Sequence, residues 1–129
     1  MSDLLNILWR QQPNADGWDV APDAVIWISV GALDAAWCES DDYVAHGAAT
    51  SPHIGRYERF GEFFVGASFI FMPTVSFDDK GEVGFTNGRH RFAWLRDRGL
   101  RSLPIEVPPN QVPAFEARFG TVERIGCVL

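Results

Sequence analysis

Stretches dense in β-branched and aromatic residues alternate along this chain with polar stretches of helical spacing. Ala24-Val-Ile-Trp-Ile-Ser-Val30 predicts a strand ended by Gly31. Ala67 to Phe77 predicts a second, with Pro73 marking an edge position or a bulge within it. Asp78-Asp79-Lys80-Gly81 has the composition of a tight turn, so Glu82 to Phe85 reads as the returning arm of a hairpin. Two adjacent aspartates invite a metal reading, but their place in a turn closed by glycine favours a structural one. Leu103-Pro-Ile-Glu-Val107 is a further strand, closed by Pro108 and Pro109, and Thr121 to Leu129 has the pattern for a last one.

Apolar residues at helical intervals fall between these runs. Leu4, Ile7 and Leu8 share a face of a short helix that Ser2 or Asp3 would cap. Gln11 to Asp23, with Pro13, Gly17 and Pro22, reads as a loop in which Trp18 is a packing anchor or a binding aromatic. Ala32 to Cys38 places Leu33 and Trp37 four apart. Glu39 to Pro52 is polar and turn-rich, and its His46, like the neighbouring His53, reads as solvated. Ile54 to Val65 sets Tyr57, Phe60 and Phe64 on one stripe, with Arg56 and Arg59 on one flank and Glu58 and Glu62 on the other. A helix from Arg89 to Arg98 ends at Gly99, with Phe92 and Leu95 buried and His90 and Asp97 turned away from the core. Pro113 to Phe119 is a last short helix, ended by Gly120. The pattern as a whole predicts an α+β fold: one small domain over residues 1–129, a mixed or largely antiparallel sheet and three to five short helices.

Composition changes this picture in one respect. At 129 residues, 47% hydrophobic and 13% aromatic, the chain has ample material for a core. Its net charge of −6 argues against a protein that coats nucleic acid by bulk attraction. Yet Arg89 to Arg101 holds five arginines against one acid, Asp97, so a cationic patch sits on an acidic body. Lys80 is the only lysine, and arginine suits bidentate oxyanion contacts. Cys38 and Cys127 form no CxxC pair, and the histidines have no metal-ligand spacing. No secretory signal or membrane span is legible, so the expectation is a cytoplasmic protein with reduced thiols.

The arginines divide by position. Arg96 and Arg98 lie near the helix C-terminus, where positive charge complements the dipole. Arg89 and Arg91 lie at the opposite end, where it does not. There they predict an anion seat, formed with the exposed N–H groups of the first turn. Arg56 and Arg59 either extend that seat or are solvated surface charges.

Asn87-Gly-Arg-His-Arg-Phe-Ala-Trp94, followed by Arg98-Gly-Leu-x-x-Leu-Pro-Ile105, resembles the signature region of the ParB/sulfiredoxin superfamily over roughly residues 69–107. Within it the motif is most similar to plasmid fertility inhibition factors of the FiwA and Osa type. That resemblance implies interference with another conjugative system, and ATP hydrolysis and DNA cleavage linked to the group. Sulfiredoxins place a cysteine where this chain has Arg89, so sulfinic acid reduction is not expected. Partition proteins continue into a helix-turn-helix domain, for which the 22 residues after Val107 are too few, so centromere-specific DNA binding is not expected.

The expectation is a pocket for a nucleotide or nucleic-acid phosphate at Asn87, Gly88, Arg89, His90 and Arg91, with Arg56 and Arg59 as its extension. ATP or another nucleoside triphosphate, with Mg2+, is the expected ligand. In a hydrolytic mechanism Arg89 and Arg91 stabilise the phosphoryl oxygens, His90 is a general acid or a hydrogen-bond donor, and Glu58 or Glu62 is the base or magnesium ligand. His90 reads equally as a polar residue facing solvent. The competing function is a non-enzymatic inhibitor of a protein partner in a conjugation system or mobile element, using some of the five tryptophans and ten phenylalanines as contact surface. Half of a toxin–antitoxin module is a third reading.

Overall fold

The computed structural model describes residues 4–13, 22–49 and 51–129. Its centre is β6, Ser102–Val107, in which all six positions are buried. A strand with both faces covered must be apolar throughout, and Leu103, Pro104, Ile105 and Val107 meet that demand. Ser102 and Glu106 do not, and both are nonetheless inaccessible.

On one side β6 pairs antiparallel with β2, Ala24–Ser29, from Ala24 opposite Val107 to Ser29 opposite Ser102. On the other it pairs in parallel with β4, Thr74–Phe77, which forms a hairpin with β5, Val83–Asn87. The order β2-β6-β4-β5 is thus a mixed four-stranded sheet. The Asp78 to Gly81 turn forms as its composition predicts, with the Asp78 carboxylate accepting from the N–H groups of Lys80 and Glu82 at 2.9 Å each.

Ser29 ends β2 and caps α1, Val30–Trp37, its hydroxyl accepting from Ala32 N at 3.2 Å. α2, Ile54–Gly66, packs on α3, Arg89–Asp97, through Phe64 and Phe60, which lie 5.2 and 5.5 Å from the Trp94 ring. α4, Val112–Phe119, closes the other end of the core, where Phe115 stacks on Phe77 at 4.2 Å. Among the described residues, four α-helices and a mixed sheet match the expected α+β class.

The chain's start departs from expectation. Leu4–Asn6 is a single 3-10 turn and Leu8–Arg10 is a strand, β1. Trp9, which the helical pattern ignored, is fully buried there. The proposed caps Ser2 and Asp3, and Trp18, lie outside the described residues. The run from Ala67 to Phe77 is two strands in two sheets. β3, Ile70–Phe71, pairs with β1, while β4 begins after Pro73 and joins the large sheet. Pro73 lacks an N–H, but its carbonyl accepts from Glu106 N at 2.9 Å, which hands the chain from one sheet to the other. Only Cys127–Val128, β7, is extended in the last segment, pairing with β1 in parallel. The two free cysteines, Cys38 and Cys127, are both exposed. No helix among the described residues is long and apolar enough to cross a membrane.

Candidate functional site

The hairpin β4–β5 delivers the chain to Gly88, which turns it into α3 with φ of 84°. A side chain is disfavoured at this φ, and space forbids one too. A Cβ on Gly88 would lie 2.5 Å from Arg91 Nη1 and 3.2 Å from Pro73 Cα. No side chain caps α3, so the first-turn N–H groups and the positive end of the dipole face outward. They open on a cavity of about 290 Å³ lined by Arg56, Phe60, Phe85, Thr86, Asn87, Gly88, Arg89, His90 and Arg91. Three arginines and no carboxylate are in that lining.

Each arginine is held differently. Arg89 donates from Nη1 to the Asp42 carbonyl at 3.2 Å. The Asp42 carboxylate is fixed in turn by Trp37 Nε1 at 2.8 Å and Phe85 N at 2.9 Å. Arg91 runs inward beneath Gly88, and its Nη1 is buried with no hydrogen-bond partner. Burial depresses its pKa, against which the Glu106 carboxylate acts. Arg56 reaches the cavity from α2, together with Phe60 one turn on.

His90 is not the solvent-facing or acid-ready group expected. It is 6% exposed, with Nε2 at hydrogen-bond distance, 3.0 Å, from Ser51 Oγ. Burial, then the charges of Arg89 and Arg56 and the nearby His53, lower its pKa to about 4. It is therefore neutral at physiological pH, which removes the general-acid role from the unliganded protein and leaves hydrogen bonding.

The other end of α3 also differs from the reading. Arg96 is no dipole-complementing surface charge: its side chain is 5% exposed and donates to Asp97, Asp34 and the Val44 carbonyl at 2.9, 3.0 and 2.7 Å. Asp97, expected to face away from the core, also accepts from Tyr57 OH, Gly47 N and His46 Nδ1, at 2.8, 2.8 and 3.0 Å. One carboxylate thus ties α2, α3 and the segment around His46 together. His46 itself is 67% exposed, as a solvated histidine would be.

Arg59, Glu58 and Glu62 do not line the cavity. At about 100° per residue, Glu58 sits roughly 200° round α2 from Arg56, and Glu62 follows one turn later. Arg59 is exposed and donates to its own helix at Gly55 O, 3.1 Å. Arg56 alone of the two flanks joins Arg89 and Arg91. Among the described residues no group of three or more His, Cys, Asp and Glu side chains could hold a metal ion. The cavity does not fit a protein-held magnesium ion.

Sequence reasoning missed Phe85 and Thr86 as lining residues and Glu106 as the charge behind Arg91. Glu106 carried a signal: a lone carboxylate inside an apolar strand is either misplaced or paired.

The known proteins that match do so across this region. A family model, plasmid fertility inhibition factor, covers residues 25–120, from the second residue of β2 to the end of α4, and so contains the whole cavity. Among curated proteins none matches the chain by sequence. Among solved structures, the oncogenic suppression activity protein, described as a plasmid fertility inhibition factor and crystallised as a gold(I) cyanide derivative, superposes with a TM-score of 0.63 at 18% identity. The match covers 83% of this chain and 61% of that one, so it shows the shared fold over less than two thirds of the longer protein. The chain belongs to the plasmid fertility inhibition factor family.

Proposed function

We propose that this family member binds a phosphate-bearing ligand, a nucleoside triphosphate in the first instance, in the cavity at the start of α3. One observation carries the reading: an uncapped helix N-terminus, three arginines and no carboxylate line one cavity. Burial disfavours the charge of one of these arginines, Arg91, and a phosphate in the cavity is the kind of group that offsets that cost. Phe60 and Phe85 supply apolar walls for a base or sugar. Of the ParB/sulfiredoxin resemblance this reading keeps the phosphate pocket.

Hydrolysis of a phosphoanhydride or phosphodiester is a further step, and the cavity lining offers it no carboxylate base. Magnesium, on this reading, enters on the phosphates. Both cysteines are free and exposed, which supports a reducing, cytoplasmic setting.

Calorimetry with ATP, with and without magnesium, tests the proposal. The wild type is expected to bind, and Arg91→Ala to bind at least about tenfold more weakly, the weight of one charge-assisted contact. Equal affinity in both proteins sinks the site assignment. No heat with any nucleotide favours a second reading, a non-enzymatic inhibitor of a conjugation partner. The observation behind that alternative is the exposure of Phe63 and Val65 on α2, 58% and 56%.

A further inference from the structure

We infer that Glu106 sets the affinity of the cavity for anions, acting from behind Arg91 as a built-in counter-charge with which a bound phosphate competes. The inference rests on the phosphate-binding reading above.

Glu106 is 3% exposed in the middle of the large sheet. Both carboxylate oxygens are fixed, Oε1 by Gln12 N at 2.6 Å and Oε2 by Thr74 Oγ1 at 2.9 Å. The charged groups that act on it are Arg91 from α3 and Asp23 from the segment before β2. Burial pushes its pKa up, and Thr74, Gln12 and Arg91 oppose that push.

Arg91, for its part, feels one carboxylate, Glu106, and makes no ion pair with it. Thr74, which holds Glu106 Oε2, follows Pro73, and Pro73 Cα and Arg91 Nη1 both crowd the point where a Gly88 Cβ would stand. The two side chains thus flank one stretch of backbone at Pro73–Thr74. Glu106 compensates Arg91 through space and in part. A phosphate in the cavity would share the Arg91 charge with Glu106.

The consequence has a sign. Glu106→Gln keeps the shape and removes the charge. In the empty protein it leaves Arg91 buried and uncompensated, whereas in the complex the phosphate supplies the missing charge. The variant is therefore expected to melt lower than wild type without ligand and to bind ATP more tightly, by about fivefold or more. The double variant Arg91→Ala/Glu106→Gln is expected to lose that gain. Glu106→Asp, which withdraws the carboxylate by one methylene yet keeps a charge for Thr74 and Gln12, should lie between the two and guards against a Glu106→Gln protein that fails to fold.

Thermal melts with and without ATP, together with calorimetry, read all of these. Lower melting with unchanged ATP affinity in both Glu106 variants overturns the inference and leaves the phosphate site standing, Glu106 then being a structural tie between β4 and β6. Absence of ATP binding by the wild type and by every Glu106 variant overturns the inference and the site together.

Discussion

His90 shows how strongly a residue's surroundings decide its chemistry. The sequence places it between two arginines at a helix start, where an ordinary pKa of about 6.5 suggests a proton donor. Burial, then the charges of Arg89 and Arg56 and the nearby His53, hold it down to about 4. Because the folded value is depressed, the unfolded chain takes up a proton first as pH falls. His90 therefore contributes stability that is fully present above about pH 6.5 and lost towards pH 4, on the order of 2–3 kcal/mol. Urea unfolding at pH 7 and pH 4.5 should show this loss, and His90→Gln should shrink it. An anion in the cavity offsets the arginines, so ATP should move the His90 resonance midpoint upward in an NMR titration. A midpoint that stays put with ATP bound would place the ligand elsewhere.

At the scale of elements, the contact between α2 and α3 is the joint on which the cavity depends, since Arg56 and Phe60 come from one helix and Arg89 to Arg91 from the other. Gly61 makes the close approach possible. A Cβ there would stand 2.5 Å from Trp94 Nε1 and 3.0 Å from Cε2. In an ordinary helix interior Gly→Ala stabilises by about 1 kcal/mol. Here the expectation reverses: Gly61→Ala should destabilise by about 1–3 kcal/mol, because a rigid indole has to shift within a packed seam. Thermal melts would check the sign, and a smaller side chain at Trp94 should restore the usual gain.

Most elements were legible because each is nearly self-sufficient as a pattern: β2 by its β-branched run, the β4–β5 turn by Asp78 and Gly81, α3 by its spacing and terminal Gly99. What was not legible depends on partners distant in the chain. Leu8–Arg10 is a strand because residues 70–71 and 127–128 flank it, and no local window contains those. Arg96 and Asp97 read as surface charges because Asp34, Tyr57 and Gly47, which bury and bind them, lie dozens of residues away. That Arg89 and Arg91 share one patch at the start of α3 was visible from their misplaced charges. Its boundary was not, for only the packing of α2 selects Arg56 and leaves Arg59, Glu58 and Glu62 outside.

At the scale of the whole molecule, a body of net charge −6 concentrates its cationic lining in one cavity. The four-stranded sheet that frames it has all its strands by Val107. The small sheet is different. β1 meets β3 some sixty residues later and β7 only at Cys127–Val128, so its edge closes across nearly the full length of the chain. During vectorial synthesis β1 can pair with β3 once residues 70–71 emerge, but its other edge waits, unpaired, until everything that forms the cavity has emerged. Long loop closures are slow, so β1–β7 pairing is expected to be the last to form. Pulse-labelled hydrogen exchange should find the amides of Cys127 and Leu129, which bond to Ile7 and Trp9, protected after those of β2 and β6. The elements that line the cavity are thus complete before the small sheet closes.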